Sequence, residues 1–347
     1  MIDLTVLIPT YNREDRLKKS LASYTQEKIK NIEFVVIDNC SKDNTEALVR
    51  SLIAKDDRIK YFKNPTNLGY NRNLFRGYLE AEADWLCILP DDDAVEFGFL
   101  SELIEKIDQN NDCSIILTAQ KIQNHPDQKI LNQTKRLRKG VEAFKIAYKA
   151  SGSVPGYTFN KKLINVNEWH LDNSIYPQIR ISVEASLRHD ILYLITNKMP
   201  VLGNYDTLED SINNSMGRPL DFGVLERLSI LIEESKKINN DERIEVINQL
   251  ASGLFYWSIL KGKDMYVFNK DHAISFFKCL LKHPFIKSSS TFLGLLGYIF
   301  IFNKQVTFRD QIKILTMILK SIFMSIFKYN FYSSLLFSFQ NFRKVNL

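Results

Sequence analysis

Asp91, Asp92 and Asp93 stand side by side, directly after the apolar run Trp85-Leu86-Cys87-Ile88-Leu89 and Pro90. Three adjacent carboxylates repel one another, so each must be solvated or matched by a cation. A solvated surface turn would do. So would a site whose hard oxygens hold Mg2+ or Mn2+ and, through it, something negatively charged. Three more polar clusters follow apolar runs: "PTYNR" (9–13), "DNCSKDNT" (38–45) and "NPTNLGYNRN" (64–73). Taken one at a time, each has a plain reading. Pro9 and Asn12 suit a turn and a helix cap. Asp43 and Glu46 are spaced as a capping box. Asn67-Leu68-Gly69 suits a turn with Gly69 at positive φ, and Arg72 suits a solvated helix face.

The elements that must carry these clusters alternate. "LTVLI" (4–8) and "IEFVVI" (32–37) read as strands, as do "IKYF" (59–62), "DWLCIL" (84–89) and "SIILTA" (114–119). Between them, Leu17, Leu21 and Tyr24 recur at helical spacing, with Asn12 as the expected N-cap and Asp15 in the first turn. A second helix carries Leu48, Val49, Leu52 and Ile53 on one face, and "NRNLFRGYLEA" (71–81) reads as a third. Strands alternating with helices imply an α/β fold with a mainly parallel sheet covered on both faces. From 120 to about 215 the pattern is irregular. "GYTFNKKLI" (156–164) reads as a strand pair or a loop, and "YPQIRISVEASLRHDILYLI" shows both alternating and helical spacing. From about 222 the chain turns helical, and "NNSMGRP" (213–219) is the expected boundary between residues 1–215 and a helical region, 216–347.

On a parallel sheet the four clusters come to one edge, where ligands of such folds bind. Tyr11, Asp38, two helix N-termini, Arg72 and the carboxylates would then share a crevice. Those are parts for a nucleoside diphosphate: a ring to stack on the base, an acceptor for a base N–H, helix N-termini and an arginine for phosphates, and carboxylates for a bridging divalent ion.

"VLIPTYNR", "VVIDNCSKDNT", "NLGYNRN" and "CILPDDDAV" together resemble the family 2 glycosyltransferases of GT-A fold, in the family's order and spacing over about 100 residues. The resemblance implies a GT-A domain, Rossmann-like, followed by a mostly α-helical C-terminal region. It implies a nucleotide-sugar site at Pro9, Tyr11, Asn12, Arg13, Asp38, Asn67, Gly69, Arg72 and Asp91. Tyr11, Asp38 and Asn67 would surround base and ribose, and Arg72 would lie near the diphosphate. The family's acidic motif runs apolar-Asp-x-Asp-Asp. Here Pro90 takes the first of those places, so Asp92 and Asp93 are the implied ligands of Mg2+ or Mn2+, Asp92 first. The forms of "NLGYNRN" and "SIYPQ" are similar to the abequosyltransferase-like branch of O-antigen assembly. The acceptor implied is a polyprenyl-diphosphate-linked oligosaccharide, and the donor base is open among UDP, dTDP, GDP and CDP.

An inverting transferase also needs a base for the acceptor hydroxyl. The family's Glu-Asp pair is not at its usual distance, and Glu209-Asp210 comes late. Asp172, in "WHLDNSIYPQ", is the first candidate and Glu184 the second, although Glu184 also suits an exposed helix carboxylate. His170 and His189 read as ordinary partly buried histidines.

Four cysteines without a C-x-x-C pair fit a reducing compartment. The start of the chain lacks a signal-peptide pattern, which points to the cytoplasm. From Lys282 to the end, nine Lys or Arg face Asp310 alone, more than the whole chain's net +6, so the remainder is slightly acidic. Arg309, Lys313, Thr316 and Lys320 form a polar stripe opposite Ile312, Leu315, Ile318, Leu319, Ile322, Phe323 and Ile326. That pattern suits a basic amphipathic helix on an anionic membrane surface at the inner face of the cell membrane; packing onto the catalytic domain or onto a second copy of the chain suits it equally. Basic residues interleaved with a greasy face exclude a nucleic-acid reading. A nucleotidyltransferase is disfavoured because "PTYNRED" stands where a Gly-rich phosphate loop with a lysine would be. A non-catalytic sugar-nucleotide-binding scaffold of the same pathway is the alternative to an enzyme, favoured by the missing Glu-Asp pair and opposed by Asp92 and Asp93.

Overall fold

The chain divides into two compact units, Met1–Asp206 and Thr207–Leu347. This computed structural model describes residues 2–122, 130–152, 154–164, 177–198 and 201–202, with scattered positions between 227 and 250. The boundary expected at 213–219 and the basic stretch at 309–328 lie outside the described residues. In the second unit, described positions bury Ile230, Leu231, Val246, Ile247 and Leu250, as an amphipathic helical pattern requires. Among the described residues no helix is long and apolar enough to cross a membrane.

Among the described residues the first unit has ten strands: β1 (Leu4–Thr10), β2 (Ile32–Asp38), β3 (Ile59–Lys63), β4 (Trp85–Ile88), β5 (Ile115–Thr118), β6 (Lys121–Ile122), β7 (Lys135–Leu137), β8 (Tyr157–Asn160), β9 (Ile191–Leu194) and β10 (Val201–Leu202). Its helices are α1 (Glu14–Tyr24), α2 (Thr45–Ile53), α3 (Tyr70–Glu80), α4 (Phe99–Gln109), α5 (Val141–Ala150) and α6 (Pro177–Arg188). The main sheet runs β3-β2-β1-β4-β8-β5-β9-β7, and β6 pairs with β10 separately. The first four strands are parallel. The region expected to be a strand pair or a loop forms one strand, β8, antiparallel to both β4 and β5. The sheet is therefore mixed. The stretch of double periodicity divides in two, α6 and then β9 beside β5: its helical spacing and its alternating spacing belong to different segments.

β1 and β2 are buried along their whole length, as strands covered on both faces must be. Leu4, Val6 and Ile8 pack with Leu17, Leu21 and Tyr24 of α1 and with Phe99, Leu100 and Leu103 of α4. Leu7 and Ile37 face Gly77 of α3. The two expected caps form differently. α1 starts at Glu14, and the Asn12 side chain turns instead to the Lys42 amide. α2 starts at Thr45, where Asp43 accepts from the Thr45 amide and hydroxyl, while Glu46 pairs with Arg50 and Lys63. At Asn12 a contact between loops takes the side chain from the helix end, whereas Asp43 holds the first amide of α2 and only Glu46 is drawn away from the expected box.

Gly77 lets α3 lie close on the sheet. A Cβ there would stand 2.9 Å from Ile37 Cγ1 and 3.2 Å from Leu7 Cδ2. Helix propensity alone favours Gly77→Ala by about 1 kcal/mol, but overpacking of this kind costs roughly 1–3 kcal/mol. Thermal unfolding of Gly77→Ala should show Tm lowered by several degrees. A raised Tm would mean that the helix has slack to move outward.

Candidate active site at the carboxyl edge of the sheet

β1 and β2 are in register to their last residues, with Thr10 opposite Asp38, and β4 ends beside Leu7. The four polar clusters thus start from neighbouring points. Asn12 and Cys40 are the non-glycine residues with positive φ, at 53° and 71° among the described residues, a conformation that costs energy unless contacts fix it. Here they do. The Asn12 amide donates to Ser41 Oγ at 2.9 Å, the Lys42 amide to Asn12 Oδ1 at 2.7 Å, and the Glu14 amide to Asp43 Oδ2 at 3.1 Å. The loops after β1 and β2 are clasped together.

Asp38 is fully buried. Its Oδ1 accepts the Ser41 amide at 2.7 Å and its Oδ2 the Tyr61 hydroxyl at 2.5 Å, so the carboxylate shapes its own loop. Burial and the Asp38 charge push the Tyr61 phenol well above its ordinary range, which keeps it a donor.

The loop after β3 hangs on asparagines. Asn39 Nδ2 donates to Asn67 Oδ1 at 2.7 Å, and Asn39 Oδ1 accepts the Leu68 amide at 2.8 Å and Asn64 Nδ2 at 3.3 Å. Asn64 Nδ2 also donates to Asn73 Oδ1 at 2.7 Å, and Asn73 Nδ2 to the Ile37 carbonyl at 3.1 Å. This ladder ties β2, the 64–69 loop and α3 into one piece. Asn67 Oδ1 also takes the Gly69 amide at 2.9 Å, and Gly69, at φ 78°, leads into α3.

The acidic cluster is anchored by Tyr24, whose buried hydroxyl donates to the Pro90 carbonyl at 2.6 Å and lies 3.1 Å from that of Asp93. Asp91 and Asp93 are buried, and the side chain of Asp92 is 15% exposed. Arg13 bridges two of them: its Nη1 lies 2.8 Å from Asp91 Oδ1 and 3.0 Å from Asp92 Oδ2. Arg16 Nη1 stands 3.8 Å from the same Asp92 oxygen. Asp91 Oδ2 is buried, with the Thr10 hydroxyl the polar group that bears on the carboxylate besides Arg13. Burial raises the Asp91 pKa, and the Arg13 charge opposes it. Tyr70, at the start of α3, is near enough that Asp92, Asp91 and Asp93 add to burial in raising its phenol.

The remaining expected residues are dispersed. Pro9 lies buried inside β1, opposite Ile37. Tyr11 is 41% exposed, its ring facing solvent. Arg72 is exposed on α3. Glu184 forms an i,i+4 pair with Arg188 at 2.9 Å on α6. Asp172, His170 and Glu209-Asp210 lie outside the described residues. Sequence reasoning missed Asn39, Asn64 and Asn73, Tyr24, Arg16 and Tyr70. The spacing of four asparagines within "NPTNLGYNRN" was the available signal for the ladder; Tyr24 looked like one more residue of an apolar helix face.

A sheet with this edge and these helices is the GT-A glycosyltransferase fold. Staphylococcus aureus TarS 1–349, solved in complex with UDP-GlcNAc, superposes with a TM-score of 0.65 at 15% identity, over 93% of this chain and 92% of that one. The mannosyltransferase PcManGT from Pyrobaculum calidifontis, in complex with GDP-Man and Mn2+, gives 0.50 at 11% identity, over 85% of each chain. Residues 5–166 match the model of Glycosyl transferase family 2. The GalNAc(5)-diNAcBac-PP-undecaprenol beta-1,3-glucosyltransferase of Campylobacter jejuni is 37% identical over 110 residues, which is 31% of this chain and 36% of that protein. The succinoglycan biosynthesis protein ExoO of Rhizobium meliloti is 30% identical over 106 residues, 30% of each. The match thus spans about a third of the length of these curated relatives.

Asn39→Asp isolates the ladder. It keeps the acceptor for the Leu68 amide but sets an oxygen against Asn67 Oδ1. With a hydrogen bond worth about 1 kcal/mol lost and two acceptors opposed, amide exchange at Leu68 and Gly69 should quicken by roughly tenfold or more. Unchanged exchange would show that the loop is held by other means.

Proposed function

We propose that this protein is an inverting, metal-dependent glycosyltransferase. It moves a sugar from a nucleoside-diphosphate donor to a polyprenyl-diphosphate-linked oligosaccharide in the assembly of bacterial surface polysaccharide. The observation that carries the reading is the meeting of four strand-end loops, within the stretch that matches family 2, around buried carboxylates bridged by a guanidinium. The lipid-linked acceptor is supported by the name of the Campylobacter jejuni relative. The forms of "NLGYNRN" and "SIYPQ" are similar to abequosyltransferase-like enzymes of surface-polysaccharide assembly and leave the donor sugar open.

In this reading Tyr11 and Asn67 contact the nucleoside, and Asp38 acts through the loop whose Ser41 amide it holds. Arg72 and Arg13 serve the diphosphate. The residues fit a divalent ion shared with substrate. Asp92 is partly open and is followed by Asp93, a second hard carboxylate; among the described residues no group of three or more His, Cys, Asp or Glu is placed to hold a metal, so substrate oxygens would have to complete its shell. Mg2+ suits such sites, with one or two carboxylates plus substrate phosphates. Asp92 and Asp93 would hold it, and when bound it would offset charge developing on the departing diphosphate. Asp172 is the proposed base for the acceptor hydroxyl. Glu184, already paired with Arg188, is the weaker candidate.

A thermal-shift panel of UDP, GDP, CDP and dTDP, each with and without Mn2+, tests the reading. One nucleotide should stabilise the protein only with metal, by about 2.7 kcal/mol at a hundred times its Kd. Asp92→Ala should lower turnover by roughly a hundredfold or more; undiminished metal-dependent turnover would remove Asp92 from the role. Nucleotide binding without any transfer to lipid-linked acceptors would favour the scaffold. For the proposed membrane contact, Lys313→Glu with Lys320→Glu should reduce sedimentation with anionic vesicles several-fold, at about 1 kcal/mol per basic residue near the surface. Equal sedimentation would overturn that contact.

A further inference from the structure

Arg13 holds an oxygen of Asp92, one of the two carboxylates proposed for the metal. Its Nη1 contacts Asp91 Oδ1 and Asp92 Oδ2 together, at 2.8 and 3.0 Å. The Asp91 side chain is 3% exposed and that of Arg13 is 23% exposed, so the pair is screened from water on one side only. A divalent ion placed on Asp92 would stand within a few ångströms of the guanidinium and be repelled by it. The two cations compete for that carboxylate, because bringing a divalent ion onto it sets two positive charges side by side. A diphosphate offers Arg13 a different anion of matching, bidentate geometry, on the side where the side chain is exposed.

We propose that Arg13 is a positioning residue that couples the two ligands of this site. Its guanidinium keeps divalent metal off Asp92, and a diphosphate draws it away and opens that carboxylate to the ion. Metal and nucleotide thereby strengthen each other's binding. Because the coupling is thermodynamic it is reciprocal: whatever factor the nucleotide adds to metal affinity, the metal adds to nucleotide affinity. The inference rests on the metal-dependent reading above and adds to it the group that links metal to donor. Arg16 supplies the contrast. It carries the same charge near the same oxygen, but at 3.8 Å it is outside hydrogen-bond distance.

The test is Mn2+ binding to the full chain, read by the electron paramagnetic resonance signal of free Mn2+, for the native protein and for Arg13→Gln, Arg13→Lys, Arg16→Gln and Asp92→Asn. With Mn2+ alone, Arg13→Gln should bind about tenfold tighter or better than the native protein, as expected when a charge-assisted hydrogen-bonded competitor is removed. Arg13→Lys, a point charge unable to bridge both carboxylates, should gain less; Arg16→Gln should gain little, and Asp92→Asn should lose binding. Addition of UDP or GDP should tighten Mn2+ binding more in the native protein than in Arg13→Gln. An equal gain in Arg16→Gln would reduce the effect to net charge and overturn the proposal. So would native-like binding in both Arg13 variants while Asp92→Asn abolishes it, a result that leaves the metal site standing. Absence of Mn2+ binding in every protein, with either nucleotide, would overturn the proposal and the metal reading together. Should Arg13→Gln fail to fold by circular dichroism, Arg13→Lys decides: no gain in Mn2+ affinity overturns the proposal.

Discussion

The constraint on which the site depends is the negative charge gathered at the end of β4. Asp91 and Asp93 are buried, and burying an unmatched carboxylate is far more costly than exposing it. Two features make the arrangement tenable. Tyr24 fixes the backbone of the turn through Pro90 and Asp93, and Arg13 supplies a cation that touches two carboxylates at once. A buried pair of this kind contributes little net stability when intact and costs several kcal/mol when one partner is removed. The geometry is therefore specific without being especially stabilising.

The neighbouring loops solve a different problem, that of holding irregular backbone in place without regular secondary structure. The polar groups beyond the ends of β1, β2 and β3 are taken up by one another: Asn12 by Ser41 and Lys42, Asn39 by Asn67, Leu68 and Asn64, and Asp38 by Ser41 and Tyr61. Amide side chains suit this because each offers a donor and an acceptor. The result is a set of loops rigidly attached to the sheet, with Tyr11 and Arg72 left facing outward on it.

The strand and helix positions were legible because the first 120 residues keep clean periods. The run expected at 32–37 is Ile32–Asp38, and the helix expected at 71–81 is Tyr70–Glu80. Legibility failed where two elements abut or where a side chain had competing partners. The 177–194 stretch holds a helix and a strand separated by a short turn, so any window across it mixes both periods. The cap assigned to Asn12 and the box closed by Glu46 failed because propensity knows only the local helix end, whereas Asn12 found a partner in the loop after β2 and Glu46 in Arg50 and Lys63; Asp43 kept the first amide of α2.

By itself, the sequence determined the five strands and three of the four helices of the first 120 residues, α4 being the one left unread, and that four polar clusters follow four strands, because periodicity and turn chemistry are local properties. It also determined the residue types, hard carboxylates beside an arginine-bearing loop, and so the class of chemistry. Only the tertiary structure decided which groups meet. Arg13 and Asp91 are 78 residues apart in the chain, and no local pattern states that β1 and β4 will lie side by side or that β8 will enter antiparallel between β4 and β5. Pairing across a sheet depends on the packing of all its strands at once. The charge balance of the site, with Asp91 and Asp92 on one guanidinium and Asp38 turned to its own loop, follows from that packing.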